Sequence, residues 1–205
     1  MHPVCPPQLS FAGSKNIIGT KLRFPAPTSF GDGSYLSAGY TQSVTLPIAI
    51  EPLYANKSVM VKTQGLVGIC SEICVPVQFS LSMDVGPRSV SKRDEAAALF
   101  AAKASLPGRA HAGFSITDVM LEEPRLLHVK ATIPENTQKA ELFVTPPDGW
   151  YLTPASAKQI DGRHVRFELP LNDIPTSANA ANQSLTMTLV ADGVAVEQVV
   201  TVSRP

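Results

Sequence analysis

Charged residues are scarce in this sequence, and the two signs balance. Lys plus Arg and Asp plus Glu each total 17, so the formal net charge is zero, and charged residues make up 17% of the chain. A nucleic-acid-binding protein needs a concentrated basic surface to neutralise phosphates. The charge content therefore argues against a nucleic-acid partner.

Long apolar runs are also missing. A membrane-spanning helix needs roughly 18 to 20 consecutive apolar residues, and no segment approaches that length. Residues 1–7 have neither the basic nor the apolar region of a signal peptide. We therefore expect no membrane-spanning helix and no signal peptide, and a chain that is either cytosolic or lacks its true beginning.

Cysteine is too rare for a disulfide-stapled scaffold, since the chain has only three: Cys5, Cys70 and Cys74. Zinc needs about four ligands, and the histidines are scattered without ligand spacing, which argues against a zinc site. Cys5 lies between prolines near the free end, and we assign it no role. The close pair needs a chemical explanation.

Prolines and glycines are spread between short apolar runs, which is typical of a protein made of many strands and turns. In the first half, the runs with a β-like pattern are Thr20–Phe24, Ser43–Ile50, Val59–Gly65 and Val75–Val85. A proline in a strand is confined to edges, ends or bulges. Pro76 therefore predicts that the last run lies at a sheet margin or breaks there.

The second half continues the β pattern. Its runs are Leu126–Ile133, Lys139–Thr145, His164–Leu169, Leu185–Ala191 and Val194–Val202, and Asp192-Gly193 predicts a hairpin turn between the last two. About seven strands in roughly 95 residues indicate an immunoglobulin-like sandwich. We expect Trp150 and Tyr151 to pack in a core or an interdomain surface.

One helix is predicted between the two halves. The alanine-rich segment up to Ala104 follows Ser91, which can cap the helix together with Asp94, and Pro107-Gly108 ends it. The predicted fold class is mostly β, with two immunoglobulin-like β-sandwich domains joined by this short alanine-rich helix. The predicted bounds are 1–88 for the first domain, 89–108 for the helical linker and 109–205 for the second domain.

Three residues separate Cys70 from Cys74. In an extended strand these positions would lie about 13 Å apart, beyond the roughly 7 Å limit for a disulfide, so the chain must bend between them. A three-residue hairpin loop over residues 71–73 would place the cysteines opposite each other at about 5.5 Å between Cα atoms. One turn of helix would also bring them together, but the β context favours the hairpin.

Such a bridge closes a very small loop, so it is expected to add little to the stability of the folded chain. Strain and exposure make a disulfide easier to reduce, which suits reversible exchange. No cationic side chain is adjacent in sequence, and Glu72 opposes thiolate formation, so we expect modest intrinsic activation. The alternatives are a static disulfide, two buried thiols, or a Cu(I) site formed by Cys70 and Cys74, since Cu(I) accepts soft thiolates.

The segment Cys70-Ser71-Glu72-Ile73-Cys74-Val75-Pro76 resembles the Cys-x-x-x-Cys-(Ile/Val)-Pro motif in the N-terminal domain of DsbD-like and ScsB-like protein-disulfide reductases. Phe24-Pro25-Ala26-Pro27, Gly39-Tyr40 and Val44-Thr45-Leu46-Pro47 are also similar to that family's upstream pattern. The cysteine spacing is closer to the ScsB-like branch, some members of which are linked to copper tolerance. The resemblance covers most of the chain.

The resemblance implies a bacterial, periplasmic, immunoglobulin-like domain with protein-disulfide reductase-type activity. Its partners would be a CcdA/DsbD-type membrane electron transporter and periplasmic thioredoxin-like or disulfide isomerase proteins, with no cofactor and no small-molecule substrate. Cys70 and Cys74 would be the redox-active residues. The other functions considered are a Cu(I)-binding protein that uses the same two thiolates and a non-catalytic β-sandwich interaction module.

Two further expectations come from the same resemblance. The family carries a signal peptide and additional strands before the matching segment, so we expect this chain to be truncated or wrongly started at its N-terminus. In the family, a cap loop with aromatic side chains shields the cysteines. The segment 30–35, with Phe30 and Tyr35, could form that cap.

Overall fold

The structure is a computed structural model that describes residues 8–31, 36–70, 73–87, 92–122, 125–145, 147, 150–175 and 177–204. In the first half the strands are β1 (Gln8–Ser10), β2 (Ile17–Leu22), β3 (Thr28–Phe30), β4 (Ser37–Gly39), β5 (Ile48–Pro52), β6 (Val59–Cys70) and β7 (Cys74–Val85). A helix, α1 (Arg93–Ala104), follows. The remaining strands are β8 (Gly108–Arg109), β9 (Ser115–Glu122), β10 (Leu126–Thr132), β11 (Ala140–Thr145), β12 (Ala155–Ser156), β13 (Gln159–Asp161), β14 (His164–Pro170), β15 (Ser184–Ala191) and β16 (Val194–Thr201). The predicted mostly β class is confirmed.

The chain divides into two compact units. The first contains residues 1–24 and 45–104, and the second contains residues 25–44 and 105–205. The segment 25–44 thus groups with the second half of the chain and α1 with the first, whereas the predicted bounds kept 25–44 in the first domain and made the helix a linker. The bounds 1–88, 89–108 and 109–205 stay a prediction.

The second unit is a β-sandwich. Its four-stranded sheet has the order β13-β14-β10-β9, and its five-stranded sheet has the order β12-β11-β15-β16-β8. Fully buried side chains from both sheets, Phe167, Leu127, Leu142, Leu185 and Met187 among them, form one core cluster. Along β14, buried and exposed side chains alternate, as expected of an antiparallel sheet with one solvated face.

Three details of the sandwich test the sequence predictions. Asp192 and Gly193 have φ angles of 47° and 84° and join β15 to β16 in a two-residue turn, which confirms the predicted hairpin. Trp150 belongs to the core cluster, as predicted. Tyr151 is not part of that core, since its side chain is 45% exposed.

The strand β9 is absent from the sequence prediction because a bulge breaks its alternation. Asp118 pairs with Lys130 but Ile116 pairs with Ala131, so Thr117 is an extra residue in the ladder. The buried residues Ile116 and Val119 are therefore three positions apart instead of two or four. A period-2 pattern does not detect such a strand.

The first unit has little apolar core. Its described strands form a three-stranded sheet, β1-β6-β7, and a two-stranded sheet, β2-β5. Among its described residues, those whose side chains are buried are Pro47, Val61, Thr63 and Ala102. The unit therefore depends on backbone ladders and local hydrogen bonds more than the second unit does.

Asn16 provides one group of those local bonds. It adopts a φ of 60°, which asparagine tolerates better than most residues. Its side-chain amide donates to the carbonyls of Tyr54, Lys57 and Ser58, and its side-chain oxygen accepts from the Tyr54 N–H at 2.7 Å. This single side chain fixes the loop after β5.

The helix begins later than predicted. With Arg93 as its first residue, Lys92 is the N-cap, and its N–H donates to Glu95 Oε2 at 3.1 Å. Glu95, and not Asp94, therefore supplies the carboxylate of the capping interaction. Ser91, the predicted cap, lies outside the described residues. Among the residues described, no helix is long and apolar enough to cross a membrane.

Gly65 allows the central strand of the first unit to be covered by an aromatic ring. A Cβ at this position would lie 2.2 Å from Phe79 Cζ and 2.8 Å from Leu9 Cδ2. We expect Gly65→Ala to lower the free energy of unfolding of this sheet by about 1 to 3 kcal/mol, because both side chains must move.

Chemical denaturation followed by circular dichroism measures this effect. Gly108→Ala is the matched control, since a Cβ there meets its nearest heavy atom at 3.7 Å. Equal stabilities of the two variants would contradict the packing described for Gly65.

Candidate functional site

Cys70 and Cys74 are joined by a disulfide bond with an S–S distance of 2.04 Å. Cys70 ends β6, Cys74 begins β7, and the two residues are directly paired across the antiparallel ladder. The predicted hairpin with a three-residue loop is therefore confirmed. The Cα atoms are 4.0 Å apart, closer than the predicted 5.5 Å.

The hairpin has one apolar and one mixed, largely polar face. Cross-strand pairs such as Ile69 with Val75 and Val67 with Val77 lie on the apolar face, where the ladder continues through Gly65 and Phe79. The disulfide lies on the opposite face, because successive side chains of a strand alternate. Gly68 and Pro76 form the next pair on that face.

Hydrogen bonds made by β6 reveal the direction of the backbone groups in the hairpin. The N–H and C=O of Met60 both bond to Lys15, with N···O distances of 3.2 and 2.8 Å. Met60 lies opposite Asp84, so the backbone groups of Asp84 do not bond to β6. In an antiparallel ladder, hydrogen-bonded and non-hydrogen-bonded pairs alternate.

Two further positions agree with this alternation. The N–H and C=O of Lys62 both bond to Ser14 Oγ, at 2.9 and 3.1 Å, and Lys62 lies opposite Ser82. Pro76 has no N–H to give to a ladder. Since the register is unbroken, the even-numbered residues of β7 from 74 to 84 direct their backbone groups away from β6. The prediction that Pro76 marks a sheet margin is thereby confirmed, because β7 is an edge strand of its sheet.

The described residues at the tip of the hairpin are accessible to solvent. Both cysteines are partly exposed, and the side chains of Ile69 and Ile73 are 60% and 63% exposed. Between Lys62 and Arg88 the sequence contains no other cationic residue. The described side chains beside the disulfide are therefore exposed and aliphatic, whereas Ser71 and Glu72 lie outside the described residues.

The other residues singled out from sequence are not brought to the disulfide by any described contact. Cys5 and Tyr35 lie outside the described residues. Phe30 ends β3 in the second unit, and its ring covers Gly39 closely enough that a Cβ there would lie 2.7 Å from Phe30 Cε1. Shielding of the cysteines by residues 30–35 stays a prediction.

Side-chain hydrogen bonds hold the segment 25–44 in the second unit. Ser29 Oγ donates to Glu141 Oε1, and Glu141 pairs with Lys139 at 2.9 Å. The Tyr40 hydroxyl donates a hydrogen bond to the Pro25 carbonyl at 2.8 Å. This bond holds the later part of the segment against its first residue. Burial raises the pKa of Tyr40 to about 12.

The described residues contain no group of three or more His, Cys, Asp or Glu side chains that could hold a metal ion. The outward orientation of the backbone along β7 is not among the features predicted from the sequence. The signal that could have revealed it is Pro76, since a proline inside a paired strand must face away from the ladder.

The fold and this site define a mostly β protein with a β-sandwich unit and a disulfide at the tip of a long hairpin. The structure is similar to the crystal structure of the N-terminal periplasmic domain of ScsB from Proteus mirabilis, with a TM-score of 0.77 and 15% sequence identity. The similarity covers 97% of this chain and 78% of that one.

Sequence comparisons add one further finding. A family described as "Domain of unknown function (DUF8393)" matches residues 105–205, which correspond to the second unit without the segment 25–44. No curated protein sequence matches the chain.

The direction of the backbone groups in β7 predicts that two neighbouring proline substitutions lower the stability by different amounts. Leu81→Pro removes an N–H that bonds to β6, and should cost about 1 to 3 kcal/mol because a carbonyl of β6 loses its donor. Ser80→Pro removes an N–H on the outer edge, and should cost less than about 1 kcal/mol.

Hydrogen exchange of the β6 and β7 amides compares the two proline variants. Leu81 itself is 64% exposed, so loss of its side chain contributes little. Similar losses of protection in both variants would mean that the ladder does not have this orientation.

The pKa of Tyr40 predicts how the second unit responds to alkali. Because the pKa in the folded chain lies above the ordinary value of 10.0, the unfolded chain gives up the proton first. The stability that the neutral phenol provides should be present below pH 10 and lost as the pH rises through about 12. An absorbance titration should show one late tyrosine transition that disappears in Tyr40→Phe. Persistence of that transition would assign it to another tyrosine.

Proposed function

We propose that this protein is a thiol–disulfide exchange module in which Cys70 and Cys74 alternate between the disulfide and the dithiol. The observation that carries the proposal is the disulfide itself, formed between residues four apart at the exposed tip of a hairpin. It does not link separate elements of the fold, because β6 and β7 are already paired along their whole length.

The small energetic contribution of the bond supports a reversible role. With a sequence separation of 4, the chain-entropy argument gives about 2 kcal/mol of stabilisation, near the lower end of the usual range for disulfides. The ladder below the cysteines remains when the bond is reduced. The module can therefore change redox state without unfolding its scaffold.

Exchange proceeds in two displacement steps. In the dithiol form, the thiolate of one cysteine attacks a sulfur of the partner's disulfide, which breaks that bond and releases a thiolate that takes up a proton. The second cysteine, as thiolate, attacks the mixed disulfide and releases the partner as a dithiol. The Cys70–Cys74 disulfide forms again, so two electrons have moved to the partner.

Reduction of the module runs the same steps in reverse with a donor dithiol. The resemblance of the cysteine motif to ScsB-like reductases and the similarity in fold support a periplasmic setting. There the donor would be a CcdA/DsbD-type membrane transporter, and the acceptors would be thioredoxin-like or disulfide isomerase proteins. The exposed aliphatic side chains at the tip suit a protein partner better than a small charged one.

The reduction potential of the pair tests the proposal. In defined glutathione or dithiothreitol buffers, with thiol trapping and mass measurement, a Cys5→Ser chain should show one reversible two-electron transition. We expect a potential between about −120 and −270 mV, the range of known exchange proteins.

A potential well below about −300 mV would identify a structural disulfide and contradict the proposal. The matched controls are Cys70→Ser and Cys74→Ser in the Cys5→Ser background, which must lack the transition. In each variant, the remaining cysteine should form a mixed disulfide with an oxidised model thioredoxin. Absence of any such adduct from both variants would also count against exchange with protein partners.

A further inference from the structure

The two residues next to the disulfide on its own face of the hairpin are Gly68 and Pro76. They lie opposite each other, one pair below Cys70 and Cys74, and both are exposed. Glycine has no side chain, and the ring of proline stays close to its own backbone. In the described part of this face, the surface directly beside the disulfide therefore has no long side chain.

The backbone of the hairpin does not require a glycine at position 68. Gly68 does not have a positive φ, and the register of β6 with β7 has no bulge at this position. Glycine inside a strand weakens the strand, and it often marks a place where a ligand or another backbone approaches closely. Close approach is the use that fits a glycine beside an accessible disulfide.

The geometry of a mixed disulfide explains why another backbone must come so close. The two Cα atoms of a disulfide usually lie about 4.4 to 6.8 Å apart. Two residues along a strand span about 6.6 Å. When a cysteine of another protein is bonded to Cys70 or Cys74, its own backbone therefore lies about as close to that residue as Gly68 or Pro76 does.

Pro76 removes a second obstacle to this approach. Its position directs backbone groups away from β6, so another residue type here would present an outward N–H near Cys74. A protein that covered this N–H without accepting a hydrogen bond from it would bury an unsatisfied donor, which is unfavourable. Proline has no N–H, so the surface near Cys74 can be covered without that penalty.

We infer that the Gly68–Pro76 pair is the contact surface for the backbone that carries the reacting cysteine of the exchange partner. The inference rests on the proposed function, and it assigns Gly68 a role in selecting the partner. The partner is a protein dithiol or disulfide, whose cysteine brings its main chain with it. A small dithiol brings no main chain and does not need the space above Gly68.

Reduction of the module by a donor dithiol is the reaction that tests the inference. A donor thiolate attacks one sulfur of the Cys70–Cys74 disulfide and forms a mixed disulfide, while the other sulfur leaves as a thiolate and takes up a proton. The second thiolate of the donor then displaces the module, which is released as a dithiol, and the donor becomes a disulfide. The two donors to compare are reduced thioredoxin, a protein, and dithiothreitol, a small molecule.

Gly68→Val should slow reduction by thioredoxin and leave reduction by dithiothreitol nearly unchanged. In the Cys5→Ser background, we expect the second-order rate constant with thioredoxin to fall at least about tenfold, because the added side chain holds the donor backbone away from the sulfur atoms. Acid quenching, thiol trapping and mass measurement follow both reactions.

Ser82→Val is the matched control. Ser82 is exposed on the same face of β7, about 26 Å from Cys74 along the strand, so the same side chain there should change neither rate constant. If Gly68→Val does not fold, as judged by circular dichroism, Gly68→Ala replaces it, with an expected fall of about threefold for thioredoxin.

Equal rate constants for Gly68→Val and its parent chain with thioredoxin would overturn the inference and leave the proposed function intact. Slowing by the same factor with both donors would place the effect on the disulfide itself, which also contradicts the inference. If dithiothreitol reduces the parent chain and thioredoxin does not, exchange with protein partners fails, and the inference fails with it.

Discussion

The unbroken pairing of β6 with β7 is the constraint on which the rest of the site depends. Twelve residue pairs in one register bring Cys70 opposite Cys74, and a slip of one residue would place the two side chains on opposite faces. The same register decides which backbone groups of β7 are satisfied and which face outward. Bond formation at the tip and exposure along the edge are thus two results of one alignment.

The two compact units are stabilised in different ways. The second is a sandwich around large, fully buried side chains, whereas the described part of the first buries few. In the first unit, paired strands, the Asn16 hydrogen bonds and the close contact of Phe79 with Gly65 provide the order. A site on such a unit is well placed for access, because little apolar packing surrounds it.

Local patterns in the sequence predicted the mostly β class, the hairpin between the cysteines and the turn at Asp192-Gly193. These features depend on residues close together in the chain. The sequence did not reveal β9, where the bulge at Thr117 breaks the alternation, or the grouping of residues 25–44 with the second unit. Both depend on pairing with strands that are distant in sequence, which a local pattern does not record.

The hairpin also sets the lifetime of any covalent complex that the cysteines form. When one of them is bonded to another protein, the ladder still places the second beside it, at a Cα separation of 4.0 Å in the closed form. The effective concentration of the attacking group is then far above that of any thiol in solution. In the proposed exchange reaction, a mixed disulfide would therefore be resolved within the molecule before an outside reductant reacts with it, and the partner would be released quickly.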